Sequence, residues 1–160
     1  RTDVRIEKHR VTREDGTAED VFIPFGIHTV KGQEHKLMLL SESSGTQGAF
    51  VLLAHILPVL NTGGVAVLDE MEADLHPHMI TPILDLFFSP KTNPNDAQLI
   101  FTSHSMEVLS HLHKGQVLLV EKDAECSTDV WRLDSIKGVR SDDNLYAKYM
   151  AGAYGAIPQL

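Results

Sequence analysis

The sequence of 160 residues is poor in several features, and each shortage excludes a class of protein. A single cysteine, Cys126, excludes an internal disulfide framework and is typical of the reducing cytoplasm. No apolar run reaches the ~18 residues of a membrane-spanning helix, and no segment has the pattern of a secretory signal peptide. We therefore expect a cytoplasmic protein without a membrane partner.

Basic residues are also scarce. Fourteen Lys and Arg against 22 Asp and Glu give a formal net charge of −8 at pH 7. Because nucleic-acid phosphates are bound by clustered Lys and Arg, we do not expect this segment to be the main nucleic-acid contact. Nucleic acid could still bind through other regions of the same protein.

The loop Gly-x-x-x-x-Gly-Lys-Ser/Thr, whose N–H groups and lysine cradle nucleotide phosphates, is absent from the sequence. The stretch from Gly26 to Gly32 fails this pattern, and Gly45 is followed by Thr-Gln-Gly without a lysine. The first residue is Arg1 rather than Met. We expect the chain to be a piece of a longer polypeptide.

Apolar patterning predicts an α/β fold. Residues 4–11 alternate as in a half-buried strand, and Asp15-Gly16 predicts a turn into a second strand at 21–25. The remaining predicted elements are a turn and strand over 26–34, a largely buried helix at 46–60, strands at 65–68, 99–101, 116–120 and 129–133, a loop at 91–96, and helices at 77–88, 106–112 and 143–150. The strand–helix alternation favours a mostly parallel core sheet flanked by helices, with a small antiparallel edge near the N-terminus.

Two acids follow the most apolar of these strands. Val65 to Leu68 is a continuous apolar run, and Asp69 and Glu70 come directly after it. Ligands bind at this edge of open α/β sheets. Asp69 suits Mg²⁺, which prefers oxygen ligands, and Glu70 suits a general base that polarises water. The alternative is that two acids simply end a strand.

A histidine, His104, follows the next predicted strand. At that position it can reach the same edge of the sheet as Asp69 and Glu70 and donate a hydrogen bond to a phosphate. The alternative is a histidine that only caps a chain end.

The segment Ser41 to Gln47 stands directly before the predicted long helix. Ser, Gly and Thr at a helix start supply a cap and free backbone N–H groups, which together form an anion site. The alternative is an ordinary helix cap.

These motifs, in this order, resemble the C-terminal half of ABC-type ATPases of the SMC/RecF kind. Ser43 to Gln47 resembles their signature motif, Asp69-Glu70 the Walker B pair, residues 72–77 the D-loop, and His104 the switch histidine. The tail at 153–158 is similar to that of bacterial abortive-infection ATPases, which are often encoded in anti-phage systems. The resemblance covers residues 38–160, and residues 1–37 match only loosely.

The resemblance implies a P-loop NTPase fold in which residues 1–160 form the C-terminal lobe of one ABC-type ATPase domain, while the Walker A half and Q-loop are not present. It implies ATP and Mg²⁺ as cofactors and a homodimer or higher homo-oligomer. Site roles follow from it: Asp69 for Mg²⁺, Glu70 and His104 for catalysis, and Ser43, Gly45, Thr46 and Asp74 for nucleotide binding across the dimer. An effector nuclease or toxin is the implied partner, and anti-phage defence the implied role.

Other functions remain open at this point. A role in DNA repair or chromosome maintenance suits the same family, as does a nucleotide-sensing scaffold with little turnover. The pairs His76/His78 and His111/His113 favour a metal hydrolase only weakly, because such a zinc site needs three ligands in fixed geometry. Residues 117–123 resemble the first acidic motif of Toprim nucleases, but no Asp-x-Asp pair follows.

Overall fold

A computed structural model describes residues 2–73, 75–123 and 125–156. The chain begins with a three-stranded antiparallel sheet of β1 (Thr2–Thr12), β2 (Ala18–Val30) and β3 (Gln33–Met38). Gly16 and Gly32 lie in its two turns at φ of 81° and 79°, a conformation that favours glycine. The sheet is larger than the small edge that the sequence predicts, and β1 is mostly exposed rather than half buried.

The turn predicted at Gly26 is wrong, because β2 runs straight through this residue. A Cβ atom at Gly26 would lie 2.3 Å from Oε1 of Glu42. The glycine therefore reflects the close approach of another side chain to the strand and not a change of chain direction.

The predicted long helix is confirmed as α1 (Ser44–Thr62). Ser43 is its N-cap, and Gly63 ends it in the left-handed conformation at φ 72°. The expectation that the helix is buried on most sides is wrong. Ala49, Ile56 and Leu60 are buried and Leu52 and Val59 are partly buried against the core, whereas Val51 and Leu57 are exposed, so that one face of α1 packs on the core.

The next unit is a strand–helix–strand crossover. It consists of β4 (Val65–Leu68), a 3-10 turn (Pro77–Met79) with α2 (Ile80–Phe88), and β5 (Gln98–Phe101), and β4 and β5 pair in parallel. Pro82 falls in the first turn of α2, where its missing N–H has no helical partner, and the helix continues past it to Phe88. The core beneath consists of Ile56, Leu60, Met71, Ile80, Ile83, Leu84, Ala97 and Val108.

Only one face of the β4–β5 pair is covered. Ala66 is buried and Leu68, Leu99 and Phe101 pack against the core, whereas Val65, Val67 and Ile100 are more than half exposed. The continuous apolar run at 65–68 predicts a parallel strand covered on both faces, and this prediction is wrong for the part of the chain that the structure describes.

The C-terminal third departs most from the prediction. Residues Met106–Ser110 form a 3-10 helix, β6 (Leu118–Lys122) pairs antiparallel with β7 (Thr128–Arg132), and α3 (Leu145–Met150) follows. The side chain of Asp123 accepts the N–H groups of Glu125 and Ser127, which turns the chain back beside β6. Across residues 2–73, 75–123 and 125–156, β4–β5 is the one parallel pair, so the expectation of a mostly parallel sheet is not met.

A second apolar cluster packs this last part. Its buried members are Leu109, Val117, Leu119, Leu133, Leu145 and Tyr154. None of the helices that the structure describes is long and apolar enough to cross a membrane.

Candidate functional site

The parallel pairing of β4 and β5 brings the ends of both strands to one edge. The hydroxyl of Thr102, just beyond β5, donates to Oδ1 of Asp69 at 2.5 Å and accepts the N–H of Glu70 at 2.7 Å. Backbone bonds continue the ladder, from Thr102 N–H to the oxygen of Leu68 at 3.0 Å and from Met71 N–H to the oxygen of Thr102 at 3.1 Å. Thr102 thus fixes both acids against the neighbouring strand, a role that no sequence motif indicated.

Glu70 has a backbone conformation that is rare for residues other than glycine. Its φ is 46°, in the left-handed region, which costs about 1–2 kcal/mol for an L-residue. The bond from its N–H to Thr102 and a second from Ala73 N–H to its own oxygen at 2.8 Å hold it there. Strain of this kind at an exposed carboxylate supports a functional role for the residue.

His104 lies beside Glu70, as the sequence predicts. Nε2 of His104 is 3.3 Å from Oε1 of Glu70, and the two side chains are 83% and 58% exposed. Because water screens such an exposed contact, the contact itself holds the imidazole only weakly. The pair nevertheless presents one acid and one imidazole to the same side of the strand edge.

Glu72 is a functional candidate that sequence analysis passed over. Its Oε1 accepts the N–H of His104 and, at 3.0 Å, the N–H of Ser105. Burial raises the pKa of Glu72, but hydrogen bonds from the backbone N–H groups of Glu72 and His104, the Ser103 side chain and the Ser105 N–H outweigh it and bring the pKa below its usual value. Its Oε2 is buried without a hydrogen-bond partner in the described part of the chain. The sequence placed Glu72 in the D-loop segment but gave no sign of these partners.

Ser43, Gly45 and Thr46 lie at the start of α1. The hydroxyl of Ser43 accepts the N–H of Thr46 at 3.2 Å and lies 2.9 Å from the hydroxyl oxygen of Thr46, so both side chains take part in the cap. The N–H groups of Ser44 and Gly45 belong to the first turn, where a helix offers no backbone acceptor. These groups and the positive end of the helix dipole form a place where an anion can bind.

An open groove of about 490 Å³ runs between α1 and the segment after β4. Ser44 and Gln47 line one side, with Asp69 and Glu70 opposite. The helix start and the two acids therefore border one concave surface. Asp74, predicted for nucleotide binding, lies outside the described residues. The remaining lining residues are Gly48, Val51, Leu52, His55, Leu68, Met71, Ala73 and Leu75.

The donor set at this edge fits Mg²⁺ better than a transition metal. No group of three or more His, Cys, Asp or Glu side chains that could hold a metal occurs among the residues described. Mg²⁺ needs only one or two carboxylates, since water and substrate phosphates complete its shell, and Asp69 supplies one. A nucleotide would need further contacts, because the sequence has no lysine-bearing phosphate loop.

Comparison with known proteins gave one family. A family model described as "AAA domain, putative AbiEii toxin, Type IV TA system" matches residues 2–110. The match contains Ser43, Asp69, Glu70 and His104 as well as β1 to β3, and it stops before β6. The search of curated proteins gave no match.

Proposed function

Since the chain belongs to this AAA-domain family of the abortive-infection kind, we propose that it supplies the water-activating half of an ATP hydrolysis site. Membership makes the chain part of a nucleotide-binding domain of the ATPase type. The observation that carries the finer proposal is the edge of β4–β5, where Thr102 bonds to Asp69 and Glu70 together and His104 contacts Glu70.

The roles follow from what each group can do. Asp69 would hold Mg²⁺, which when bound neutralises charge on nucleotide phosphates. Glu70, held in one backbone conformation, would accept a proton from the attacking water. The exposed imidazole of His104 would donate a hydrogen bond to the terminal phosphate. Each role requires that the side chain lie at the exposed edge where β4 and β5 end.

We propose that the phosphate-binding half comes from another part of the same polypeptide. Parallel strands are normally covered on both faces, because their side chains are apolar on both. Here Val67 is 72% exposed and Val65 and Ile100 are exposed with it, on the face opposite the core. An additional segment packed on this face would bury them and could bring the missing loop to Asp69.

We further propose that the start of α1 acts across a homodimer. Ser43, Ser44 and Thr46 are exposed, and the first-turn N–H groups can still receive an anion. Although Ser44 borders the same groove as Asp69 and Glu70 of its own protomer, in a two-fold dimer this helix start would instead meet nucleotide held by the acids of its partner. Two equivalent composite sites would result.

Mixing two inactive variants of the complete protein tests this arrangement. Ser43→Arg adds bulk and charge at the helix start, and Glu70→Gln removes the base. In a heterodimer both defects can fall on one composite site, so the other site should work and hydrolysis should return. Demonstrated heterodimers without hydrolysis would show that Ser43 does not act across the interface.

The biological role that we propose is to drive or gate a toxin or effector nuclease in anti-phage defence. The words "putative AbiEii toxin, Type IV TA system" in the description of the matched family support this role. Loss of phage protection in cells carrying Glu70→Gln would support it. Full protection by that variant would contradict it.

A further inference from the structure

The carboxylate of Glu72 joins the two segments that carry Glu70 and His104. Its Oε1 receives the backbone N–H groups of His104 and Ser105, which belong to the segment after β5. Its own main chain belongs to the turn after β4, where Leu75 N–H bonds to the oxygen of Glu72 at 2.9 Å. One side chain thus spans the gap between the ends of two parallel strands.

We propose that Glu72 is a positioning residue that holds His104 against Glu70. The proposal rests on the function proposed above, because His104 matters only if this edge hydrolyses ATP. It adds a residue that would act through the backbone of its neighbour and not directly on water or phosphate.

The exposure of His104 is the reason that a backbone anchor is needed. With 83% of its side chain exposed, little packing restrains the imidazole, and its contact with Glu70 is screened by water. The direction of the side chain is therefore set by where the main chain at 104 is held. Ser105 N–H also bonds to the hydroxyl of Ser103 at 3.0 Å, but that contact lies within the same segment and cannot fix it to β4.

The ionisation of Glu72 strengthens this anchor. Hydrogen bonds from N–H groups to a charged carboxylate are about twice as strong as neutral ones. Because the pKa of Glu72 lies below its usual value, the carboxylate is charged at neutral pH. Two N–H groups converge on one oxygen, which fixes both the distance and the direction of the segment.

A purely structural role for Glu72 is the competing explanation, and kinetics with double variants separate the two. In the complete protein, Glu72→Ala should lower kcat for ATP about tenfold or more and leave KM nearly unchanged, because it removes only the placement of His104. Glu72→Gln, which keeps an oxygen acceptor of the same length, should fall between wild type and Glu72→Ala. Glu107→Gln removes a nearby exposed carboxylate and should have no effect.

The decisive comparison is made in a His104→Ala background. If Glu72 acts through His104, Glu72→Ala should lower kcat no further there. A further loss equal to that in the wild-type background would overturn the proposal. Because Glu72→Ala can be poorly folded, the same comparison with Glu72→Gln gives a second test.

Hydrogen exchange of the complete protein provides a readout that does not depend on activity. The N–H groups of His104 and Ser105 should exchange at least about tenfold faster in Glu72→Ala and at the wild-type rate in Glu107→Gln. Unchanged exchange would overturn the anchor whatever the kinetics show. A wild-type protein without ATPase activity would instead refute the proposed function, while the exchange result would still decide whether Glu72 holds this segment.

Discussion

Replacement of Gly26 by alanine tests how the antiparallel sheet is joined to the start of α1. Glu42, which precedes the N-cap of α1, places Oε1 2.6 Å from Nε2 of His28 on β2, and the Glu42 side chain is only 9% exposed. An alanine Cβ at Gly26 would lie 2.3 Å from that Oε1 and 3.3 Å from Nε2 of His28. The carboxylate would have to move, and its hydrogen bond to His28 would be lost.

The expected loss in the free energy of unfolding depends on whether the clashing atom can move. The clashing atom is the end of a flexible side chain and not backbone, so the cost is that of the broken bond. Hydrogen bonds to charged groups contribute about 1.5–3 kcal/mol, and His28 is partly exposed, so we expect Gly26→Ala to lower the free energy of unfolding by about 1–2 kcal/mol. Urea unfolding followed by circular dichroism measures this change.

Two further variants control the measurement. In Gly64→Ala the new Cβ would meet its nearest atoms at 3.5 and 3.7 Å, which is ordinary contact, so we expect a change within about 0.5 kcal/mol. In a Glu42→Ala background the clash is absent, and Gly26→Ala should cost almost nothing. An equal cost of Gly26→Ala in both backgrounds would refute the reasoning.

Three other outcomes follow from single features. The isolated 160-residue chain should show no measurable ATP binding by calorimetry with Mg²⁺, since its sequence has no phosphate loop, and micromolar binding would contradict this. Gly63→Ala should lower the free energy of unfolding by about 2–4 kcal/mol, because φ is 72° and the Cβ would lie 2.4 Å from the backbone oxygen of Asn95. A loss below about 1 kcal/mol would contradict this steric argument. A hydrogen bond from Lys148 lowers the pKa of Asp143 below 3.8. The ionised Asp143 therefore stabilises the folded protein above that pH, and this contribution disappears as the pH falls through the folded-state pKa. The stability difference between wild type and Asp143→Asn should therefore shrink as the pH is lowered through and below 3.8, and a constant difference would contradict the assignment.

The sequence predicted the strand edge because its signals are local. An apolar run that ends in two acids, followed by a second run that ends near a histidine, is enough to place Asp69, Glu70 and His104 when the strands are neighbours and parallel. A helix at 46–60 and a cap within Ser41–Gln47 were equally readable, because caps depend on residues next to the helix, and α1 extends about two residues further at each end.

The failures of prediction have one physical origin, which is contact between residues far apart in the sequence. Gly26 predicts a turn from sequence alone, because the close approach of the Glu42 side chain to this residue leaves no local signal. Residues 116–120 have the composition of a buried parallel strand, but the turn at Asp123 pairs them with the next strand instead. Glu72 and Thr102 acquire their partners only when β4 and β5 lie side by side.

The most direct test of the account is Glu70→Gln in the complete protein. Glutamine keeps the shape and a hydrogen-bond acceptor but cannot take a proton from water. We expect ATP binding to be retained and kcat for hydrolysis to fall by about 100-fold or more, the usual scale for a catalytic base. Asp85→Asn, an exposed acid on α2, serves as the control and should leave both quantities unchanged. Retained binding with unchanged turnover in Glu70→Gln would contradict the central claim, because the base would then lie elsewhere.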